Sequence, residues 1–249
     1  MKSLINLRKV FYLLTLSLVV AALTSGCKSP SSSATQTQHA ASTVNDGANT
    51  AVWSIGKNDN SGTELALGPA DYKKFLERDF GYEDRYYLIG HSQPKADFPY
   101  VLPGPDDTWG GTWGTSGWRT HEINILFGVK EITAKGRWNL VVDLVDSNPS
   151  KSLLKVSVND QDHKFLLKGV SDKSLTETPA TDTTERVINI PIQDGVIRDG
   201  GNVIRLTVLE GSWVVFDHVR LEGPEGVKLV APKDAFIRSV AAATYELDV

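Results

Sequence analysis

The segment VVFDHVRL, residues Val214–Leu221, predicts a β-strand with two different sides. Alternation divides its residues into Val215, Asp217, Val219 and Leu221 on one side and Val214, Phe216, His218 and Arg220 on the other. The first side is mostly apolar and should face a core, so Asp217 either points inward or lies where the strand bends. Because a buried carboxylate needs partners, we expect backbone amides or an arginine to bind it, and no catalytic role.

Segments of the same kind recur along the chain. They are short, often alternating and rich in β-branched and aromatic residues: Ala51–Ile55, Arg85–Ile89, His121–Val129, Trp138–Leu144, Leu154–Val158, Arg186–Ile190 and Asn202–Val208. Turn signals such as Asn159-Asp160 separate them. The pattern predicts an all-β fold over residues 51–223, an antiparallel β-sandwich or jelly roll. One short helix is expected over Ala70–Asp79, where Tyr72, Phe75 and Leu76 share a face.

Residues 1–26 have the order of a secretory signal peptide. Basic residues at Lys2, Arg8 and Lys9 precede the apolar stretch Val10–Leu23, which is too short to argue for a permanent membrane span. Cys27 follows and is the single cysteine of the chain, so a disulfide framework is excluded. The pattern resembles a bacterial lipoprotein signal, which implies a lipid on Cys27 and a place in the cell envelope, at the outer membrane or cell surface. Ordinary secretion with an incidental cysteine is the alternative.

Residues 27–50 predict a flexible tether, because Ser, Thr, Gln and Ala dominate and almost no large apolar residue is present. Removal of the signal takes away three basic residues and no acidic ones, so the formal net charge changes from −4 to −7. That balance argues against nucleic acid as a partner. Residues 224–249 predict a linker and then a segment that either packs back on the sandwich or begins a further domain.

Six short motifs occur in a recognisable order: Trp53–Asp59 (WSIGKND), Tyr87–Ser92, Asp97-Phe98-Pro99, Val156–Asn159, Gly201–Ile204 and Phe216–Leu221. Together they resemble the carbohydrate-binding-module-like third domain of rhamnogalacturonan lyases, polysaccharide lyase family four. The resemblance covers nearly all of residues 51–222. It implies a galactose-binding-like jelly roll. In that family the catalytic domain lies ahead of this module, whereas here a predicted tether precedes it, so a separate glycan-degrading enzyme is a possible partner.

A Gly-rich and Pro-rich stretch, Asp97–Trp118, holds three of the six tryptophans. A sugar site combines an aromatic platform with a few placed hydrogen-bonding groups. We predict the following site: Trp109 and Trp113 stack on sugar rings, and Asp106, Asp107 and Arg119 bind hydroxyls or a uronic carboxylate. Alternatively, and with equal weight, these tryptophans cover one end of the hydrophobic core and bind no sugar.

The other tryptophans divide by their position in the predicted strands. Trp53 and Trp138 lie inside strands and are expected in the core. Trp118, just before a strand, is expected to pack inside as well. Trp213 begins a strand and could face either way.

A metal site is only weakly indicated. Asp59, Glu64 and Asp217 have the side chains that calcium prefers, and sandwich modules of this kind often carry a structural calcium ion. A role for Asp59 and Glu64 in capping turns is the favoured alternative. Zinc is poorly supported, because the five histidines are scattered and the one cysteine is assigned to the anchor.

Catalysis is not expected. A lyase needs a base and a group that neutralises the uronate carboxyl, roles that His91, His121 and Arg119 could fill. No paired carboxylates or nucleophile motif support them. The sequence therefore predicts a lipid-anchored, non-catalytic module that binds plant-type, pectic polysaccharide without another cofactor. The alternative is a non-binding spacer domain, in a larger polysaccharide lyase or glycoside hydrolase of which this chain could be a fragment.

Overall fold

The computed structural model describes residues 49–71, 84–107, 120–130, 132, 136–177 and 181–231. All of them belong to one compact unit, residues 43–249. No helix within these ranges has the length and apolar character that a membrane crossing requires.

Eleven strands and one short helix make up the described part of the fold. The strands are β1 (Thr50–Gly56), β2 (Arg85–Leu88), β3 (Val101–Leu102), β4 (Glu122–Lys130), β5 (Trp138–Ser147), β6 (Ser152–Val158), β7 (Gln161–Leu167), β8 (Arg186–Ile192), β9 (Gly200–Gly211), β10 (Val214–Gly223) and β11 (Lys228–Val230). Helix α1 (Pro94–Asp97) is a single turn, and 3-10 turns occur at Pro69–Asp71 and Lys173–Leu175.

The strands form two sheets. The first has the order β1-β10-β5-β8, and β3 pairs with the start of β10. The second has the order β11-β4-β9-β6-β7, and β2 runs parallel to β4 on the same edge as β11. Every other pairing between strands is antiparallel, so the all-β sandwich predicted from the sequence is confirmed.

The core lies between the two sheets. In β5, Leu140, Val142 and Leu144 are completely buried, as the alternation of a strand requires when one side faces the core. Trp53 of the first sheet meets Phe127 of the second edge to face, with ring centroids 5.4 Å apart. Trp53 and Trp138 are buried as predicted, and Trp213, whose direction was open, is buried as well.

The sequence located the main strands and missed three. Strand β7 was missed because QDHKFLL carries no β-branched residue and lies on a sheet edge. The two- and three-residue strands β3 and β11 give almost no periodic signal. The helix predicted over Ala70–Asp79 falls mostly outside the described residues, where only the turn Pro69–Asp71 is defined.

Strand β10 bends at Asp217. A bend at this residue was one of the two alternatives predicted from the sequence. Phe216 pairs with Leu144, and the next pair joins His218 to Asp143, so Asp217 is an extra residue in a β-bulge. The Asp217 carboxylate accepts a 2.9 Å hydrogen bond from the amide of Ser61. The expectation that backbone amides bind this carboxylate is confirmed.

Candidate functional site

The stretch that leads into the tryptophan loop is fixed to the end of the first sheet. Val101 and Leu102 pair with Val215 and Val214, and both are buried. Gly104 lies so close to the turn between β9 and β10 that a Cβ there would collide with the carbonyl oxygen of Gly211. Glycine is therefore required at this position for the backbone contact.

Two aspartates of the predicted sugar site lie at the edge of the described loop. Asp106 is exposed, and its amide donates a 3.0 Å hydrogen bond to the Gly211 carbonyl. Asp107 is buried: its carboxylate accepts bonds from the Gly104 amide, at 2.7 Å, and from the Ser212 hydroxyl. Burial raises the pKa of Asp107 to about 6, against the lowering effect of these two bonds. Asp107 thus holds the stem of the loop, and its contact with sugar stays a prediction.

The remaining predicted sugar ligands, Trp109, Trp113 and Arg119, lie outside the described residues, as does Trp118. The far end of the loop is described again from Thr120, and His121 next to it is buried. The amide of Glu122 donates a 3.1 Å hydrogen bond to Asp84. His91, the other histidine weighed for catalysis, is exposed.

A second region with binding character was not predicted from the sequence. A cleft of about 300 Å³ is lined by Asn159, Asp160, Gln161, Gln193, Gly195, Val196 and Arg198. Its amide, carboxylate and guanidinium groups are suited to hydroxyl groups, and it is small for a ligand pocket. The residues come from the β6–β7 turn and the β8–β9 connection, which are far apart in sequence, so no local pattern identified the cleft.

Two buried asparagines hold the two sides of this cleft together. The side-chain amide nitrogen of Asn159 donates to Oδ1 of Asn202 at 2.9 Å and to the Val196 carbonyl at 2.6 Å. The amide nitrogen of Asn202 donates to the Arg198 and Gly200 carbonyls, and its oxygen also accepts from the Arg198 amide. Both residues belong to motifs singled out in the sequence. Their role is to connect strands and loops with every polar group paired.

A cluster of titratable side chains lies on the outer side of the first sheet. His218 and Asp143 are cross-strand neighbours, and the bulge brings Asp217 to them. Nδ1 of His218 lies 3.5 Å from Oδ2 of Asp143 and 3.5 Å from Oδ2 of Asp217. Burial, then the charges of Asp217 and Glu185, raise the pKa of Asp143 to about 6. The sequence could not place Asp143 here, because its position depends on pairing between distant strands.

The residues proposed for calcium are only partly brought together. The Asp59 amide faces Asp217 at 3.4 Å, a contact made by its backbone. The carboxylate of Glu64 accepts hydrogen bonds from the Lys57 amide and the Thr63 hydroxyl, as a turn cap does. In the part of the chain that the structure describes, the one carboxylate and histidine group close enough to share an ion is Asp143, Asp217 and His218. Calcium at Asp59 and Glu64 remains an untested prediction.

Comparison with known proteins bears on the whole sandwich. The family model described as "CBM-like: Polysaccharide lyase family 4, domain III" matches residues 51–221. No curated protein matches the chain.

Among solved structures, a family 35 carbohydrate binding module from an environmental isolate is 18% identical, over 45% of this chain and 71% of that one, with a TM-score of 0.28. A family GH115 4-O-methyl-α-glucuronidase with specificity for decorated arabinogalactans is 18% identical, over 43% of this chain and 14% of its own, with a TM-score of 0.27. BuGH86wt, in complex with neoagarooctaose, is 17% identical over 43% of this chain and 20% of its own, with a TM-score of 0.25. Because these TM-scores are low, the assignment of the fold rests on the two sheets described above and not on these structures.

Proposed function

Because the chain belongs to the CBM-like family formed by domain III of polysaccharide lyase family 4, we propose that its sandwich is a non-catalytic module that binds plant-type, pectic polysaccharide. The match over residues 51–221 is the observation that carries this proposal. The pectic substrate class follows from the resemblance to rhamnogalacturonan lyases.

We place the sugar on the loop that follows Asp107. Trp109 and Trp113 would stack on the apolar faces of sugar rings, while Asp106, Asp107 and Arg119 bind hydroxyls or a uronic carboxylate. The stem supports this placement, because the contacts of Gly104 and Asp107 with the β9–β10 turn give the loop a fixed base. A site on a fixed base loses less entropy when it binds.

The stem of that loop and the start of β1 lie at opposite ends of β10. Thr50 pairs with Gly223 at one end of β10, and Leu102 pairs with Val214 at the other. Ten residues of strand separate these pairs by about 30 Å at about 3.3 Å per residue. A sandwich held from the Thr50 end would thus have the stem of the predicted sugar loop, residues 101–107, at its opposite end.

The test is calorimetric titration of the purified chain with rhamnogalacturonan, homogalacturonan and galactan. We expect weak binding, with Kd of about micromolar to millimolar, that Trp109→Ala and Trp113→Ala both weaken by about tenfold or more. Gln161→Ala in the cleft is the matched control and should bind as the parent does. Absorbance of unsaturated uronate, followed in the same samples, should stay flat.

The other outcomes separate the alternatives. Binding lost in Gln161→Ala and kept in both tryptophan variants would move the site to the cleft. No binding to any glycan, with the tryptophan variants unfolded, would make the domain a spacer. A rising absorbance would make the protein a lyase.

We further propose that Cys27 carries a lipid that anchors the protein in a bacterial cell envelope, at the outer membrane or cell surface. The order of basic, apolar and small residues in positions 1–26 supports this. After detergent phase separation of cells that express the full chain, the parent protein should be recovered in the detergent phase. The Cys27→Ala variant should be recovered in the aqueous phase. Ser31→Ala, in the predicted tether, is the control. Parent protein in the aqueous phase would exclude the anchor.

A further inference from the structure

The cluster of Asp143, Asp217 and His218 owes its geometry to the β-bulge. In a regular strand Asp217 would lie on the side opposite His218. The extra residue in β10 turns its carboxylate towards His218, so three ligand-type side chains converge on the outer side of the first sheet. Val187 on β8 pairs with Asp143, so the two side chains lie on the same side of the sheet. Val187 is 52% exposed, which identifies this side as the outer one.

The cluster is nevertheless sealed from solvent. Asp143 and Asp217 are 0% exposed and His218 is 3% exposed. Residues 57–61 cross the bulge, where Ser61 binds Oδ1 of Asp217, and a Cβ at Gly56 would collide with the Asp217 carbonyl. The close approach of this segment therefore depends on a glycine with φ of +81°.

Most of the polar atoms in the cluster lack a partner. Across the described ranges, no hydrogen bond of normal geometry reaches either carboxylate oxygen of Asp143, Oδ2 of Asp217 or either ring nitrogen of His218. The Leu144 amide and the His218 imidazole, 3.5 Å away, are only weak partners of Asp143. A buried polar atom without a partner costs about 1–3 kcal/mol, and a buried charge costs more. Native proteins rarely keep so many unpaired atoms in one place unless something binds them.

The distances in the cluster match the ligand shell of a small divalent transition ion. Zinc–nitrogen and zinc–oxygen bonds of about 2.1 Å at tetrahedral angles place neighbouring ligand atoms about 3.4 Å apart. The two distances from Nδ1 of His218 are both 3.5 Å, and all three ligand atoms lie within 4.8 Å of one another. Calcium prefers six to eight oxygen ligands and longer bonds, so an imidazole among three ligands argues against it.

We propose that Asp143, Asp217 and His218 bind a divalent transition ion of the zinc class, through one carboxylate oxygen of each aspartate and Nδ1 of the histidine. The ion fixes the bulge of β10 to β5, and through Ser61 it also fixes the segment that begins at Gly56. Its role is structural, since the ligands are sealed inside the protein, and a water molecule would be the fourth ligand that completes the tetrahedron.

The experiment uses the purified full chain, unfolded in urea with chelator and refolded with Zn²⁺, Mn²⁺, Ca²⁺ or no ion. We expect a single tightly held Zn²⁺ per chain by elemental analysis after gel filtration. Refolded with free Zn²⁺ about 100-fold above Kd, the protein should gain about 5–10 °C in Tm. Cobalt loading should give the intense visible bands of a tetrahedral site, a readout that needs no variant.

Variants separate this site from adventitious binding. His218→Gln and Asp143→Asn should lose the ion and the Tm gain, whereas His91→Gln, Asp59→Asn and Glu64→Gln should keep both. The proposal is overturned if the parent refolds equally well without metal and holds none. It is also overturned if Zn²⁺ persists in His218→Gln but is lost in His91→Gln, or if Ca²⁺ alone is retained.

Discussion

Two groups of buried polar side chains lie in this sandwich, and they are built in opposite ways. Asn159 and Asn202 are neutral, and their side-chain oxygens and nitrogens all bind each other or nearby backbone. Asp143, Asp217 and His218 are titratable and just as deeply buried, and among the described residues most of their polar atoms have no partner. Both groups are buried, so the hydrogen bonding of their polar atoms is what distinguishes them.

This difference separates a structural connection from a binding site. A fully paired amide network stabilises the fold without any ligand. An unpaired group of charges lowers stability until an ion or proton arrives. Substitutions at the two places should therefore have effects of opposite sign in the metal-free protein.

The largest effect is expected at Asn202. Asn202→Ala removes the partners of Asn159 and of three backbone groups at Arg198 and Gly200, and leaves them buried. We expect a loss of about 3–5 kcal/mol in the free energy of unfolding, measured with urea. Asn189→Ala, an exposed amide on β8, is the control and should cost under about 1 kcal/mol. Equal losses of unfolding free energy in Asn202→Ala and Asn189→Ala would contradict the stabilising role of the buried amide network.

Asp107 is an intermediate case, because each of its oxygens has a partner while burial still opposes its charge. Its folded pKa of about 6 lies above the ordinary value of 3.8, so the folded protein binds the proton more tightly. Its contribution to stability is thus present at low pH and is lost as pH rises from about 4 to 6, by about 2–3 kcal/mol.

Asp107→Asn should remove that dependence, since an amide can accept from Gly104 and donate to Ser212. The stability difference between variant and parent, measured by urea titration at several pH values, should move in favour of the variant as pH rises to 7. A difference that stays constant with pH would show that Asp107 keeps its ordinary pKa.

The smallest effect is expected at Asp143. In chelator, Asp143→Val should raise the free energy of unfolding by about 1–2 kcal/mol, because a buried carboxylate without a well-formed hydrogen bond is replaced by an apolar group. Val141, two residues earlier, shows that β5 accepts valine on this side. With Zn²⁺ present, the advantage should shrink or reverse. A loss of stability in chelator would mean that Asp143 has a partner that stabilises it.

The sandwich could be predicted because its main strands can be recognised from local sequence patterns. Trp138–Leu144 and Asn202–Val208 alternate and are bounded by turn residues, so their burial follows from neighbours in sequence. Asp217 could be identified as a buried carboxylate for the same reason, since its strand is otherwise apolar. Strand β7 could not, because QDHKFLL has no β-branched residue and its three apolar residues are consecutive and do not alternate with polar ones.

The binding regions were harder to predict because they depend on residues far apart in the chain. The cleft at Asn159 joins two loops, and the cluster at Asp143 joins two strands through a bulge that no periodicity reveals. Asp107 was assigned to sugar from its residue type, while its burial comes from contact with Ser212, 105 residues away. Residue type suggests chemistry, and register decides which side chains meet.

The pairing of Thr50 with Gly223 makes the sandwich a portable insert. The first and last residues of its first sheet stand opposite each other as antiparallel partners, about 5 Å apart. A surface loop of another protein could be opened and joined to both residues with little added chain, at the cost of the three-residue edge strand β11 that follows Gly223. The closure entropy and the core of the host would then hardly change. Grafting therefore needs only a gap of one strand spacing in the recipient.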